Sequence, residues 1–272
     1  MKICAGIVTY NPDIERLKSN INGIINQVDK VYIFDNDSNN ISDIQSCAGE
    51  FKSITVIDNK CNYGIAKALN EIFKLALENG YQWVLTLDQD TICPKDLMKK
   101  MSVYTAEIVG IVCPAVCYDQ IDKYVVGVED SDEIEACMTS GSLTSVNAWA
   151  KVGGFNEQFF IDYVDNDFCM KLRIHKYKII RVNTCIINHQ LGEVKKTIIG
   201  KKLIHKPWRL FYMIRNNLIY IYRYKERIHT QKEWMKLFYI IIYELSFSDE
   251  KKEKLKNILL AYKEARNIIK ND

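Results

Sequence analysis

Residues 83–90 read Trp-Val-Leu-Thr-Leu-Asp-Gln-Asp, a run of five mostly apolar residues that stops at two carboxylates. An apolar run of this length, bounded by turn-forming residues, is typical of a strand buried on both faces of a parallel sheet. Aspartates are frequent where a chain leaves such a strand and turns. The stretch therefore predicts an internal strand over 83–87 with a polar turn at its end.

The preceding residues repeat this pattern and alternate it with helical spacing. Apolar runs predict strands at 2–8, 31–34 and 54–57, and apolar residues at intervals of three and four predict helices at 14–28 and 65–76. Asn79-Gly80 closes the second helix. The alternation predicts an α/β fold with a mostly parallel, Rossmann-like sheet covered by helices on both faces.

Polar clusters follow three of the predicted strands, at Thr9–Asn11, Asp35–Ser38 and Asp88–Asp90. The carboxyl ends of parallel strands meet at one edge of a sheet, and α/β proteins bind ligands at that edge. We therefore expect the three clusters to form a single site.

The pattern is mixed from residue 108 onward. It predicts strands at 108–112, 123–128, 134–138 and 178–182, a turn at 139–142, a short helix that ends at Gly153-Gly154, and a helix at 165–175. Beyond Gly200 the chain is predicted to be helical, with helices at 210–224, 234–247 and 251–270.

The composition is that of a folded globular protein, with 272 residues, 48% hydrophobic and 26% charged. Nine cysteines without a Cys-x-x-Cys pair make a structural zinc site improbable and favour reduced thiols. The first residues lack the features of a signal peptide, and no span reaches the roughly 18 apolar residues of a transmembrane helix. We expect a cytoplasmic protein.

Charge divides the chain into two parts. Residues 1–194 carry 18 basic and 26 acidic side chains, a net −8, whereas residues 195–272 carry 19 basic and 8 acidic ones, a net +11. We predict a catalytic domain at 1–194 and a basic, mainly helical region at 195–272. A basic region on an acidic body favours an acidic partner surface, a membrane or a nucleic acid, although a solvated helical face has the same composition.

Asp88 and Asp90 are suited to a hard divalent cation, because two oxygen ligands from one turn can converge on it. Mg²⁺ takes one or two carboxylates together with water and substrate phosphates, so the pair needs few further protein ligands. An Asp-x-Asp tripeptide also occurs in ordinary turns, so the pair alone does not define a metal site.

Six short motifs follow one another along the chain: Val8-Thr9-Tyr10-Asn11, Phe34-Asp35-Asn36-Asp37-Ser38, Asn62-Tyr63-Gly64-Ile65-Ala66 through Asn70, Leu87-Asp88-Gln89-Asp90, Gly153-Gly154-Phe155, and Ile161-Asp162-Tyr163-Val164-Asp165-Asn166-Asp167-Phe168-Cys169. In these motifs and their order, over about residues 3–192, the chain resembles the family 2 glycosyltransferases. Those are inverting enzymes of the GT-A fold that use nucleotide-diphosphate sugars. The forms at 87–90, 140–143 and 161–165 look most like bacterial rhamnosyltransferases.

The resemblance implies a donor site at the three polar clusters. Asp35 would accept a hydrogen bond from the nucleobase, and Asp90 with Asp88 would hold Mg²⁺ or Mn²⁺ across the diphosphate. The implied donor-binding residues are Thr9, Tyr10, Asn11, Asp35, Asn62, Gly64, Lys67 and Asp88. Asn62 and Gly64 precede a helix whose N-terminus could face the phosphates, although an ordinary turn into a helix has the same sequence.

The resemblance also implies a catalytic base, because inverting transfer needs a group that takes the proton of the acceptor hydroxyl. Asp165 aligns with the catalytic aspartate of the family's Glu-Asp-x-Asp segment. Val164 stands where that glutamate is usual, a departure that the rhamnosyltransferase-like sequences share. As an alternative, Asp165 could simply cap a helix.

Further site residues are implied around this base. His189 matches a position near the metal or the diphosphate, although a lone histidine is often structural. Gly141, Ser142 and Asp167 are predicted on the acceptor side, where the small residues could instead fit a tight turn.

The basic C-terminal region is less covered by the resemblance. Lysines and Arg209 beside Trp208, Phe211 and Tyr212 are what an interfacial helix presents to anionic lipid. We expect peripheral attachment to the inner face of the plasma membrane and a lipid-linked glycan acceptor. The alternative is that these aromatics pack on the catalytic domain or on a second subunit, as in a homodimer.

Three functions remain open at this stage. The leading hypothesis is transfer of L-rhamnose from dTDP-rhamnose to a cell-surface glycan. A UDP-hexose donor would keep the fold and mechanism, and a nucleotide-sugar-binding subunit without activity is a more distant alternative. Nucleic-acid binding is disfavoured, since the tail has no recognised motif and the acidic body repels phosphate.

Overall fold

The structure is a computed structural model that describes residues 1–118, 123–124, 129–189, 194–197 and 200–272. Strands and helices alternate through the first 88 residues: β1 Ile3–Thr9, α1 Ile14–Ile24, β2 Lys30–Asp35, α2 Ile41–Gly49, β3 Ile54–Asp58, α3 Ile65–Glu78 and β4 Trp83–Asp88. This order confirms the predicted βα alternation.

The later elements are shorter and more varied. They are α4 Leu97–Met101, β5 Val109–Tyr118, β6 Lys123–Tyr124, β7 Ser131–Glu133, β8 Ser142–Ser145, α5 Val146–Lys151, α6 Val164–Ile174, β9 Lys178–His189, β10 Val194–Thr197, β11 Gly200–Leu203, α7 Pro207–Tyr224, α8 Thr230–Phe247 and α9 Lys251–Asn271. Within the described ranges, no helix is both long and apolar enough to cross a bilayer.

One mixed sheet forms the centre of the fold. Its strands lie in the order β3-β2-β1-β4-β8-β5-β9-β7, and β6 pairs with β5. The first four strands are parallel, whereas β8 runs antiparallel between β4 and β5. Thr9 lies opposite Asp35, and Val8 lies opposite Asp88. This register brings the carboxyl ends of β1, β2 and β4 to one edge, as the sequence predicts.

Helices cover the parallel half of the sheet through tight apolar contacts. A Cβ atom on Gly6 of β1 would lie 2.5 Å from Ile72 Cγ2 of α3, so the glycine allows this helix to approach the strand closely. Cys4 and Cys93 belong to the buried core, where burial raises the pKa of each thiol to about 12. Both therefore behave as small apolar side chains.

Two secondary-structure predictions are wrong. Residues 134–138 do not form a strand; β7 lies just before them and pairs with β9. The polar backbone that follows is bound by side chains, since Met138 O accepts from Ser142 Oγ and Thr139 O accepts from Thr86 Oγ1. Residues 200–203 are not helical, because they form β11 of a hairpin with β10. Residues 125–128 of another predicted strand lie outside the described residues.

The chain forms two compact units. The first comprises Met1–Gln158 and Val164–Gln190, and the second comprises Phe159–Tyr163 and Leu191–Asp272. Helices α7, α8 and α9 thus belong to the second unit together with five residues from the middle of the chain.

A buried ionic cluster links the elements of the second unit. Lys254 Nζ of α9 lies 2.6 Å from Glu244 Oε2 of α8, and both side chains are fully buried. His205 Nδ1 lies 2.6 Å from Glu244 Oε1. Burial alone would raise the pKa of Glu244, but the hydrogen bonds from His205 and Lys254 outweigh it and hold that pKa below its ordinary value. The carboxylate therefore stays charged and bound at neutral pH.

A glycine in the turn before β8 provides a test of the packing. Gly141 has φ +79°, and an added Cβ would lie 2.6 Å from Ile187 Cδ1. We expect Gly141→Ala to lose about 1–2 kcal/mol for the left-handed backbone and a further 1–3 kcal/mol for the overpacking. Gly153→Ala is the matched control, because Gly153 has φ +77° but open space around it. Equal losses in urea unfolding would contradict this packing.

Candidate active site

Asp35 forms the buried centre of the predicted donor site. Its Oδ1 accepts hydrogen bonds from Thr9 Oγ1 at 2.7 Å and from Ser38 Oγ at 2.5 Å, and its Oδ2 accepts from Ser38 N at 2.8 Å. Thr9 and Asp35 are both fully buried. A buried carboxylate is costly unless it is hydrogen-bonded, so these three bonds hold Asp35 in one position at the end of β2.

The turn after β1 connects all three predicted polar clusters. Asn11 donates its backbone N–H to Ser38 Oγ at 2.7 Å, and its side-chain Oδ1 accepts from Asn39 N at 2.8 Å. Tyr10 N donates to Gln89 Oε1 at 2.8 Å. The structure therefore brings the three strand ends together, as the sequence analysis expects.

Three side chains hold the turn that contains Asp88 and Asp90. Asn20 Nδ2 donates to Asp88 O and Arg16 Nε donates to Asp90 O, each at 2.7 Å. Ser140 Oγ accepts from Asp88 N at 2.9 Å and lies 2.6 Å from Thr91 Oγ1. These bonds fix the backbone, while the carboxylates of Asp88 and Asp90 are partly exposed.

The pair of carboxylates fits a divalent cation that also binds substrate oxygens. Among the residues that the structure describes, no group of three or more His, Cys, Asp or Glu side chains could form a complete protein site. His189 ends β9, and its side chain lies outside the described part. Two hard oxygen donors on a fixed turn suit Mg²⁺ or Mn²⁺, with water and diphosphate supplying further ligands.

Of the predicted donor-binding residues around the start of α3, Asn62 and Gly64 form the turn before the helix, whereas Lys67 forms ion pairs. Asn62 Oδ1 accepts from Gly64 N at 3.0 Å, and Gly64 takes φ +84° directly before the helix. Asn36 Nδ2 donates to Gly64 O at 3.3 Å, which ties this turn to the end of β2. Lys67 instead pairs with Glu71 at 3.0 Å and Glu157 at 3.3 Å. The described contacts of Lys67 are therefore with two carboxylates, those of Glu71 and Glu157.

The two acidic residues of α6 differ in burial. Asp165 lies in the first turn, is partly exposed, and accepts from Asn166 N at 2.9 Å through Oδ1. Asp167 is fully buried, with Oδ2 3.6 Å from Lys171 Nζ. Lys171 Nζ also donates to Gly154 O at 2.9 Å. Asp165 follows the first helical residue, Val164, and so does not occupy the N-cap position.

Gly141 and Ser142, predicted on the acceptor side, are both buried; Gly141 lies in the turn before β8, and Ser142 is the first residue of β8. Ser142 Oγ donates to Met138 O at 2.6 Å, and Gly141 packs against Ile187 and Pro114. Their described contacts are thus with neighbouring parts of the same chain, and an acceptor-side role stays a prediction. The buried Asp167 likewise contributes a local ion pair.

Two buried polar residues within the sequence motifs have partners that the sequence did not predict. One is Ser140, which holds Asp88. The other is Asn70 of α3, whose Oδ1 accepts from Trp149 Nε1 at 3.0 Å and from Phe155 N at 2.8 Å. Asn70 Nδ2 donates to Phe155 O and Glu157 Oε1, each at 2.9 Å. Asn70 lies on the predicted helix, but its amide gives no local signal of partners so far along the chain.

The class of protein follows from the family model that the chain matches, which is that of a glycosyltransferase. The chain belongs to glycosyl transferase family 2, because the sequence model of that family matches residues 4–178. The matched region contains Asp35, Asp88, Asp90 and Asp165. His189 lies beyond it.

Individual relatives agree with this class. The chain is similar to dTDP-rhamnosyl transferase RfbF of Shigella flexneri, with 27% identity over 234 residues, 79% of this chain and 78% of that protein. The crystal structure of S. aureus TarS 1-349 has a TM-score of 0.60 and 15% identity and covers 97% of this chain and 81% of its own. The structure of GalNAc-T7 with UDP, GalNAc and Mn²⁺ has a TM-score of 0.60 and 12% identity and covers 84% of this chain and 51% of its own. These likenesses confirm the predicted GT-A fold.

Replacing Ser140 tests whether its hydroxyl stabilises the turn that contains Asp88 and Asp90. Ser140→Ala leaves Asp88 N and Thr91 Oγ1 without this partner in a buried place, so we expect a loss of about 1–3 kcal/mol in the free energy of unfolding. Ser46→Ala is the control, since its hydroxyl bonds Ser42 O on an exposed helix face. Chemical denaturation measures both, and a Ser140→Ala loss as small as that of Ser46→Ala would contradict the assigned role.

Proposed function

We propose that this protein is an inverting, metal-assisted glycosyltransferase that moves L-rhamnose from dTDP-rhamnose onto a cell-surface polysaccharide or lipid-linked glycan. The observation that carries the proposal is the convergence of Thr9, Asp35 and the Asp88–Asp90 turn at one sheet edge. Membership of the family supports a nucleotide-sugar donor. Similarity to a dTDP-rhamnosyl transferase supports the choice of rhamnose.

The nucleotide half of the donor would be bound by the ends of β1 and β2. Asp35 Oδ2 accepts one hydrogen bond from Ser38 N, and a carboxylate oxygen can accept two. Asp35 and Thr9 are fully buried in the structure, so that oxygen would accept a nucleobase N–H, with Thr9 beside it, once the residues around it move apart. Tyr10 and Asn11, which bridge the strand ends, would position the nucleoside beside it.

The diphosphate would lie against the Asp88–Asp90 turn. Asp88 and Asp90 would hold Mg²⁺ or Mn²⁺, with His189 as a further candidate ligand. When bound, the cation neutralises the charge that develops on the leaving nucleoside diphosphate. Asn62 and Gly64, at the N-terminus of α3, would contribute backbone N–H groups to the phosphates.

Asp165 would act as the catalytic base. It is a partly exposed carboxylate in the first turn of α6, whereas Asp167 two residues later is buried. Asp165 would take the proton of the acceptor hydroxyl while that oxygen attacks the sugar carbon opposite the leaving group. Attack from the opposite face inverts the configuration at that carbon.

A donor-hydrolysis and transfer assay tests this function. With dTDP-rhamnose and Mg²⁺ or Mn²⁺, we expect release of dTDP that stops when EDTA is added. Asp165→Asn should lower the rate by about 10²–10⁴-fold, the usual contribution of a general base. Asp90→Ala should raise the metal concentration needed for half-maximal rate.

Asp96→Asn is the control in this assay, because Asp96 is only partly exposed and its carboxylate pairs with Lys100 of α4. Release of UDP from a UDP-hexose would keep the fold and mechanism and overturn the rhamnose assignment. Metal-dependent dTDP binding without turnover, with or without glycan acceptors, would favour the non-catalytic subunit. Absence of any metal-dependent nucleotide binding would contradict the donor site.

We also propose that the second unit attaches the enzyme to an anionic membrane surface. The contacts of the aromatic side chains on α7 bear on which residues would face the lipid. Tyr212 stacks on Phe160 with ring centroids 5.1 Å apart, and Arg215 lies over the rings of Phe211 and Tyr212. These contacts support the alternative of packing within the protein for Phe211 and Tyr212, whereas Trp208 of the same helix is 49% exposed.

Most exposed apolar side chains of the second unit's helices lie on α8 and α9. They are Trp234, Met235, Phe238, Tyr239, Ile242, Leu255, Leu259, Leu260 and Tyr262. Met235, Phe238 and Tyr239 are 72%, 66% and 65% exposed and recur at intervals of three and four on α8. With the net +11 of residues 195–272, this apolar face favours anionic lipid as its occupant.

Vesicle binding tests this assignment. The protein should bind phosphatidylglycerol-containing vesicles at low salt. Phe238→Glu should weaken this binding about tenfold or more, because it removes an apolar side chain that the lipid would bury. Val103→Glu is the control, since Val103 is 73% exposed in the first unit. Unchanged binding of Phe238→Glu would contradict the proposal. A dimer in ultracentrifugation that Phe238→Glu dissociates would assign the face to a second copy.

A further inference from the structure

The segment Phe159–Tyr163 has an unfavourable backbone conformation directly before α6. Asp162 and Tyr163 have φ of +62° and +65°. L-residues with a Cβ atom rarely adopt this left-handed region, and two such residues in succession need contacts that stabilise them. Asp165, the proposed base, follows Tyr163 by two residues in the chain.

Helix α7 supplies polar contacts to this segment. Arg209 binds the Asp162 carboxylate with two hydrogen bonds, Nε to Oδ2 at 3.2 Å and Nη2 to Oδ1 at 3.1 Å. The fully buried Asn216 donates from Nδ2 to Ile161 O at 2.8 Å and to Asp162 O at 3.0 Å. The Arg209 guanidinium and the Asn216 amide thus bind both the side chain and the backbone of Asp162.

Aromatic contacts hold the same segment. Phe160 stacks on Tyr212, and the Tyr163 ring lies 5.5 Å from that of Tyr220. The Tyr163 hydroxyl accepts a hydrogen bond from Asn217 Nδ2. All of these partners are on α7, so a single helix fixes four of the five residues of the segment.

We propose that α7 is a positioning element for the catalytic base. Arg209 and Asn216 bind Ile161 and Asp162 and so hold Asp162 and Tyr163 in the left-handed conformation, and this conformation sets the direction in which the chain enters α6. The inference rests on the proposed function, because it takes Asp165 as the base. Arg209 and Asn216 touch neither sugar nor nucleotide in this account. Since a displacement of about 1 Å can cost 10²-fold in rate, loosening the segment should slow the chemical step.

Steady-state kinetics with dTDP-rhamnose and Mg²⁺ test the role of α7. We expect Arg209→Ala and Asn216→Ala to lower kcat tenfold or more, while the KM for the donor and the Kd for dTDP change less than twofold. Arg209→Lys, which can keep one of the two hydrogen bonds, should recover part of kcat. Arg223→Ala is the matched control, because Arg223 lies on the same helix but pairs with Asp272. A loss of kcat no larger than that of Arg223→Ala would overturn the inference.

Two substitutions of Asp162 separate conformation from charge. Asp162→Gly and Asp162→Ala both remove the partner of Arg209, but glycine adopts positive φ without steric cost. We expect Asp162→Gly to keep a kcat at least threefold higher than that of Asp162→Ala. Equal values would show that the left-handed backbone is not what matters, and would overturn the proposed cause.

Hydrogen exchange keeps the inference testable if the enzyme does not turn over dTDP-rhamnose. Amides of residues 161–168 should exchange at least tenfold faster in Arg209→Ala than in the wild type, with those of α1 unchanged. Unchanged exchange at 161–168 would overturn the inference. If exchange is faster but the protein is inactive with every donor, the result would support the contact between α7 and the segment and would count against the proposed function.

Discussion

The hydrogen bonds that Asp35 accepts are the constraint on which the arrangement of the strand ends depends. Thr9 and Ser38 surround a carboxylate that is fully buried, and they lie on β1 and in the turn after β2. The bond from Thr9 is possible only in the register that places it opposite Asp35. Ser38 Oγ also accepts a hydrogen bond from Asn11 N, so the buried carboxylate of Asp35 orders two strand ends. A shift of either strand would leave that charge without partners, which is costly.

Local patterns carry most of what the sequence could predict. Apolar runs that stop at polar residues indicate strands and their ends, and right-handed βα connections place those ends at one edge. This is why the positions of Thr9, Asp35 and Asp88 relative to the sheet could be predicted before the structure was known. The specific roles of these residues came from a family resemblance, because position at an edge does not by itself identify a ligand.

The supporting residues could not be predicted, because their partners are remote in the chain. Ser140 bonds Asp88 across 52 positions, and Asn70 bonds Phe155 across 85. A serine or an asparagine has the same local signature whether its partner is water or a buried backbone group. For the same reason, the sequence could not show whether the aromatic side chains of α7 are packed or exposed. An amphipathic helix with Trp, Phe and Tyr has one composition whether that face is packed, as Tyr212 is on Phe160, or exposed, as on α8.

The assignment of Phe159–Tyr163 to the second unit affects how the protein can be divided. The family match ends at residue 178, which suggests a self-sufficient module in the first two thirds of the chain. A polypeptide cut after residue 190 would keep the five residues but lose every α7 group that binds them, leaving Phe160 without Tyr212 and two backbone carbonyls without Asn216. The two units are therefore interleaved in the chain. An exchange of C-terminal regions between relatives would have to carry this internal pentapeptide along with the helices.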